Sequence, residues 1–150
     1  LETLDEIKSP TISVRSQYVK DLSFENPGAP ESLFKKSNQP KIEINVDVKA
    51  SPLKEKQLFE IALTISIKAV QNEEVSFIVE LIYAGLFSLE NIPEDQLKGV
   101  CLVECPRILF PFARKIIADS TSEGGFPPLL LDPIDFHKLY IKQRESVDSN

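Results

Sequence analysis

The chain has 150 residues, 42% hydrophobic and 27% charged, with 11 prolines and 5 glycines. One domain is the default at this length, and such a domain buries about 68–70% of the surface it exposes when unfolded, so a packed core is expected and wholesale disorder is not. Seventeen basic against 23 acidic residues give a net charge of −6, and no window holds the dense Lys/Arg cluster that phosphate neutralisation requires. Nucleic acid and anionic membrane are therefore poor partners.

The opening LETLDEIKSPTISV has neither the basic nor the continuous apolar region of a secretory signal, so a cytoplasmic location is expected. Residues 1–10 are polar, end at Pro10 and read as a loose arm. From Ile12 the pattern alternates: Ile12, Val14, Tyr18, Leu22 and Phe24 fall on one face, with Ser13, Arg15, Gln17, Asp21, Ser23 and Glu25 on the other, which predicts a long half-exposed strand. NPGAPES, from Asn26 to Ser32, is a turn or loop. LFKKSNQP after it has no period and reads as an exposed loop.

A second strand alternates Ile42, Ile44, Val46 and Val48 against Glu43, Asn45, Asp47 and Lys49. A third runs from Gln57 to about Val70, with Phe59, Ile61, Leu63, Ile65 and Ile67 on one side. Its longest apolar run, Ile61 to Ile67, is interrupted by Thr64 and Ser66 and falls short of the ~20 residues of a membrane span. Gln71-Asn72-Glu73 is a tight connection to a fourth strand, Glu74 to about Phe87. Short connections between consecutive strands imply an antiparallel sheet. The fourth strand carries Val75, Phe77, Val79, Leu81 and Tyr83 on one face and Ile78 and Ile82 on the other. Apolar groups on both faces ask for two covers, of which the helices supply one and a second subunit the other.

After NIPEDQ the period becomes helical: Leu97, Val100, Cys101, Leu102, Cys105, Ile108, Leu109, Phe112, Ile116 and Ile117 follow spacings of three and four, ending near Ser120 before Gly124-Gly125. Pro106 can restart a helix at little cost, whereas Pro111 is expected to bend it and to turn Phe110 and Phe112 toward a groove. LDPIDFHKLYIK predicts a last helix with Asp132 as N-cap and Pro133 at its first position, frayed beyond Glu145. The chain reads β-β-β-β-α-α, an α+β fold with a four-stranded antiparallel sheet followed by two main helices, in a single domain over 1–150.

Chemistry is sparse. His137 is the lone histidine, on an exposed helical position, so no Ser/His/Asp or Cys/His machinery forms. Cys101 and Cys105 are read as reduced, packed thiols; with His137 they lack both a zinc-knuckle turn and a fourth ligand. No glycine lies in a phosphate-cradling motif. Neither catalysis, metal nor cofactor is expected. What stands out is an aromatic surplus near the helices and loops, Phe34, Phe110, Phe112, Phe126, Phe136 and Tyr140, which suits core packing or a groove for extended peptide.

CPRILFPFAR followed by GGFPPLLLDPIDF resembles the C-terminal half of the SecB family of bacterial protein-export chaperones. KDLSFENPGAPESLF resembles that family's first strand and proline turn, and NEEVSFIVELIYAGLFSLENI its fourth strand. The matches keep their order from about Tyr18 to Tyr140. The resemblance implies a homotetramer, a dimer of dimers, that holds non-native precursor proteins without ATP and passes them to the SecA motor ATPase. It implies SecA-binding positions at Asp21, Glu25, Ile78 and Glu80, an oligomer interface at Phe77, Val79 and Leu81, and a client groove at Phe34, Phe110, Phe112, Phe136 and Tyr140. The Lys35-Lys36-Ser37 loop and the lack of Trp depart from the family's loop aromatic, which bears on groove depth. Asp21 and Glu25 share a strand face about 13 Å apart, a spacing that suits an acidic patch. Two alternatives remain: a SecB-like chaperone devoted to one partner, such as an antitoxin, and a small carboxylate-based enzyme or ligand-binding domain.

Overall fold

A computed structural model describes residues 9–34 and 39–148. Strands β1 (Thr11–Glu25), β2 (Lys41–Pro52), β3 (Leu58–Gln71) and β4 (Glu74–Glu90) form one antiparallel sheet in the order β1-β4-β3-β2. A helical run comes next, made of α1 (Glu94–Gly99), a π segment (Val100–Glu104) and α2 (Cys105–Glu123), and then α3 (Phe136–Asp148). The α+β order is the expected one. The arm read over residues 1–10, apart from Ser9 and Pro10, and the Lys35-Lys36-Ser37 stretch lie outside the described residues.

β4 is the organising strand, paired with β1 on one edge and β3 on the other. Its odd-numbered row, Phe77, Val79, Leu81, Tyr83, Phe87 and Leu89, is buried beside Ile61, Leu63, Ile65 and Ile67 of β3. Each such side chain contributes about 1.5–3 kcal/mol when fully buried. Leu109, Ala113 and Ile117, four apart on α2, close this face from above. The even-numbered row of β4 has no such cover; Ile78, Ile82 and Leu86 remain half-buried on the outer side. Asn72 and Glu73 both adopt left-handed backbone, φ 52° and 65°, in the two-residue turn that joins β3 to β4.

The simple alternation read along β1 is broken. Register shifts between Val14 and Ser16 and between Val19 and Asp21 insert two bulges. Each bulge flips the parity of the residues after it. Gln17 and Val19 therefore join the inner row opposite Gly85 and Tyr83, while Tyr18 goes to the outer face opposite Ala84. The second bulge restores the original parity, so Leu22 and Phe24 face inward and Asp21, Ser23 and Glu25 outward.

Pro106 is the second residue past the π segment, next to Cys105, whose N–H reaches back five residues to the Val100 carbonyl. A proline has no N–H and crowds the carbonyl four residues before it, and the wider π turn gives that carbonyl room. The helix continues through Pro111. Phe110 and Phe112 do not turn toward a common groove. Two residues apart on a helix they point some 200° apart: Phe110 meets Phe136 edge-on at 6.1 Å, and Phe112 stacks over Tyr83 at 6.3 Å.

The last helix begins three residues later than the Asp132-Pro133 signal implies. Leu131 is buried and Ile134 packs on the core ahead of the helix, so the first helical turn forms at the next acceptor. Asp135 is that residue: its Oδ1 accepts from the Lys138 N–H at 3.0 Å and its carbonyl from Leu139 at 3.1 Å. The helix extends to Asp148, past Glu145.

Gly85 sets how closely α2 rides on the sheet. A Cβ there would lie 2.7 Å from the Phe87 ring and 2.9 Å from Leu109 Cδ2. Gly85→Ala is expected to lower stability by about 1–3 kcal/mol through overpacking, measured as the shift in the urea unfolding midpoint at constant slope.

Candidate functional site

The sheet pairing assembles the outer face. Glu25 pairs with Ile78, Ser23 with Glu80 and Asp21 with Ile82, and directly opposed residues have Cβ atoms about 4.5–5.5 Å apart on one face. All four candidate acidic-patch positions, Asp21, Glu25, Ile78 and Glu80, are therefore neighbours on the side away from the helices. Asp21, Glu25 and Glu80 are exposed, Ile78 is half-buried between them, and among the described residues none of the three carboxylates is in an ion pair. Lys68 of β3, opposite Ile78, is exposed on the same face, and the three carboxylates around the apolar contact leave a net negative field that suits a basic partner and speeds its approach.

Next to this patch Glu60 is spoken for. Lys20 Nζ donates to its Oε1 at 2.6 Å and Tyr18 Oη to its Oε2 at 2.5 Å, both reaching from the bulged part of β1 across β4 to β3. These two bonds, Lys20 first, hold the Glu60 carboxyl below its ordinary range against an opposing effect of burial. Burial and then the Glu60 carboxylate push Tyr18 up to about 12. Glu60 thus adds little open charge and instead ties the two bulges to the sheet.

On the other side, an apolar cleft of about 560 Å³ lies between the proline turn, the start of β2 and the loop after α2. Leu33, Ile42, Phe77, Phe126 and Leu129 supply its apolar lining. Phe77 and Phe126, with ring centroids 4.8 Å apart, supply its aromatic surface, and Phe77 also stacks on Phe24 at 5.9 Å, outside the lining. Phe34, one residue past Leu33, is 70% exposed and is not among the residues that line the cleft. A second, shallower trough runs between edge strand β2 and α3, lined by Ile44, Val46, Ile134 and Leu139. Tyr140 is on the far side of α3, in a hollow with Leu102, Glu94 and Arg144.

The other candidate groove residues part company. Phe110 and Phe136 are 7% and 1% exposed and pin α3 onto α2, whereas Phe112 is 49% exposed. Phe77, Val79 and Leu81, candidate interface positions, are already buried within the chain, Phe77 between Phe24 and Phe126. Exposed apolar surface is found instead along β1, at Ile12, Val14, Val19 and Leu22, and on the neighbouring turns of α2, at Ile108 and Phe112. Sequence reasoning passed over Leu33, Ile42 and Leu129 as cleft residues. The signal that could have found Leu33 and Leu129 was the crowding of Pro, Gly and apolar residues in NPGAPESLF and GGFPPLLLDP, loops that cannot hide their side chains within helices or strands; Ile42, in β2, carried no such signal.

Cys101 and Cys105 are free and buried, and burial pushes their thiols up to about 11 and about 12, which keeps both protonated and unreactive near neutrality. Among the described residues there is no group of three His, Cys, Asp or Glu side chains placed to hold a metal ion. No described helix is long and apolar enough to cross a membrane.

The fold is that of SecB-like chaperones: a Mycobacterium tuberculosis SecB-like chaperone, solved with a peptide from the antitoxin HigA1, superposes with a TM-score of 0.69 at 15% identity, covering 82% of this chain and 90% of that one. The chain belongs to the SecB family, whose model, described as preprotein translocase subunit SecB, matches residues 5–147. The protein-export protein SecB of Mesorhizobium japonicum is 53% identical over 87% of this chain and 78% of its own length. That of Hyphomonas neptunium is 56% identical over 89% and 79%. These relatives favour a protein-export chaperone over an antitoxin-dedicated one or a carboxylate enzyme; the antitoxin-bound neighbour, at 15% identity, shares the fold alone.

The Glu60 bonds generate a pH signature. A carboxyl depressed by folding contributes stability that is present above its unfolded value of about 4.3 and lost as pH falls through the lower folded value. Tyr18 is raised from 10.0 to about 12, so its contribution is present below pH 10 and lost as pH rises toward 12. The stability gap between wild type and Glu60→Gln is expected to be widest from about pH 5 to 9 and to close on either side, read from urea midpoints across pH. A gap that is flat with pH would contradict the assignment.

Proposed function

We propose that the protein is an ATP-independent holdase that works in the cytoplasm, binds non-native precursor proteins in apolar grooves, keeps them competent for translocation and delivers them to the SecA motor ATPase. The observation that carries this reading is the separation of surfaces on one sheet. Asp21, Glu25, Ile78 and Glu80 share the outer face, and the aromatic-floored cleft opens from the inner row at Phe77. SecA is assigned to the first surface and the client to the second. Recognition by apolar burial and backbone contacts needs no side-chain code, which gives breadth at the expense of selectivity, and holding requires no bond to be made or broken.

The client path in this reading starts at Leu33, Phe34 and Phe126 and continues along the β2–α3 trough toward Tyr140. Phe110 and Phe136 serve it indirectly by fixing α3. β2 is an edge strand beside that trough, and its free backbone groups can pair with an extended segment.

Assembly into a dimer of dimers is assigned to the exposed apolar strip of β1 and α2, with Phe77, Val79 and Leu81 forming the packed layer behind it. A second copy of this chain fits that strip better than a charged partner does, because the six residues named there are all apolar and Phe112 presents half its surface. Contiguous exposed apolar surface of this kind marks a protein interface. Light scattering at micromolar concentration is expected to give a tetramer, and Phe112→Asp to shift it to smaller species while leaving the far-UV circular dichroism unchanged. A wild-type monomer would remove the assembly from the proposal.

The function itself is tested by asking whether the purified protein suppresses aggregation of a reduced, unfolded client without ATP. The same preparation carrying Asp21→Lys and Glu25→Lys is expected to bind SecA roughly a hundredfold or more weakly, because like-charge juxtaposition costs several kcal/mol and ~1.4 kcal/mol is tenfold. Client holding is expected to be unchanged in that variant. Unaltered SecA affinity would sink the acidic-face assignment.

A further inference from the structure

The loop between α2 and α3 forms one wall of the cleft through residues 125–129. At its centre are Pro127 and Pro128, both exposed, and neither has an N–H with which to tie the wall down. The wall's hold therefore depends on the amides that flank them. Both are received by a single residue. Phe126 N–H donates to the Thr121 carbonyl at 3.1 Å, and Leu129 N–H donates to Thr121 Oγ1 at 2.9 Å.

Thr121 sits in the last turn of α2 and is fully buried. Its hydroxyl has its own acceptors in the Ala118 carbonyl at 3.0 Å and the Ile117 carbonyl at 3.2 Å, so one oxygen both gives and takes a hydrogen bond inside the core. The Thr121 carbonyl also receives Gly124 N–H at 3.1 Å as the helix ends. Packing alone does not require a hydroxyl here, since valine has the same shape. Valine, however, would leave the Leu129 N–H without its acceptor, and an unpaired buried donor is costly.

We propose that Thr121 is the positioning residue of the client cleft: its carbonyl and hydroxyl clamp the two ends of the Pro127-Pro128 strap and so hold the Phe126 ring and Leu129 at a fixed distance from the Leu33 side. A wall preset in this way spares the ordering cost that a mobile loop incurs when client arrives. The inference rests on the holding function proposed above and adds the residue that sets the shape of its site.

The test compares full-length Thr121→Val with Thr121→Ser. Calorimetry with reduced, carboxamidomethylated lactalbumin reads client affinity, and amide hydrogen exchange reads Leu129 and Phe126. Thr121→Val is expected to bind the client roughly tenfold more weakly and to exchange Leu129 roughly tenfold faster, the scale of one lost hydrogen bond, with Phe126 little changed. Thr121→Ser keeps the oxygen and is expected to stay within about threefold of wild type on both readings, even though it loses a methyl group from the core. Should Thr121→Val fold poorly, the Thr121→Ser and Thr121→Ala pair, which differ by the hydroxyl alone, carries the same comparison. Client affinity that survives in Thr121→Val, or falls equally in Thr121→Ser, would overturn the clamp. A wild-type protein that holds no client would instead fail the holding function itself, and that result is visible before any variant is made.

Discussion

β4 is hydrogen-bonded along both edges and roofed on its inner side by α2, and the burial of its odd-numbered row fixes nearly everything else. Successive strand residues point to opposite faces, so sinking Phe77, Val79 and Leu81 into the core commits Ile78, Glu80 and Ile82 to the outside. The outer carboxylate is thus placed by a hydrophobic preference one residue away. A slip of one residue would drive Glu80 into the buried row between Val79 and Leu81, a desolvated charge without a partner, and the misregistered sheet is suppressed by the cost of that burial.

β1 has to match this strand while lying at the edge of the helical layer. Its two bulges do that by exchanging Tyr18 and Val19 between faces over a short stretch, after which the outer row returns at Asp21. A bulge leaves one residue without a ladder partner and invites slippage. The Lys20 and Tyr18 bonds to Glu60 anchor the irregular stretch to a third strand and so keep Asp21 and Glu25 in line with Glu80 and Ile78. The inner row of β1 is left with Val19 and Leu22 partly in solvent, because the helices do not extend over this edge.

Most of the architecture was legible because period is a local property. Ile42 to Val48 and Phe59 to Ile67 alternate cleanly and became strands with the predicted inner face, and the spacing from Leu97 to Ile117 became the helical run. Events that depend on a neighbour were not legible. The β1 bulges exist to keep register with β4, and nothing in SVRSQYVKD announces them. The π segment answers Pro106 by widening the turn before it, where the sequence suggested only a restart. Asp132 and Asp135 both qualify as N-caps by type, and the burial of Leu131 decided between them. At the site, Asp21, Glu25, Ile78 and Glu80 were named by the family resemblance, and they share a face because the second β1 bulge restores the parity that the first one flips. The aromatics were harder, since a phenylalanine exposed in a loop and one that pins two helices look alike in one dimension. Phe34 and Phe136 are 70% and 1% exposed.

The proposed client and motor surfaces meet on the same strand. Phe77 floors the cleft and Ile78, the next residue, lies in the acidic face. A load in the cleft and a partner on the outer face would then press on opposite sides of one backbone, without either blocking the other. Such an arrangement lets the motor engage a chaperone that is still holding its client, which a single shared surface would forbid. Transfer in that geometry needs the cleft to loosen while the outer face stays bound. The Pro127-Pro128 strap is one wall of that cleft, held at its flanking amides. Its attachment through Phe126 and Leu129 to Thr121 is then the point at which holding strength is set, because the prolines themselves have no N–H to contribute.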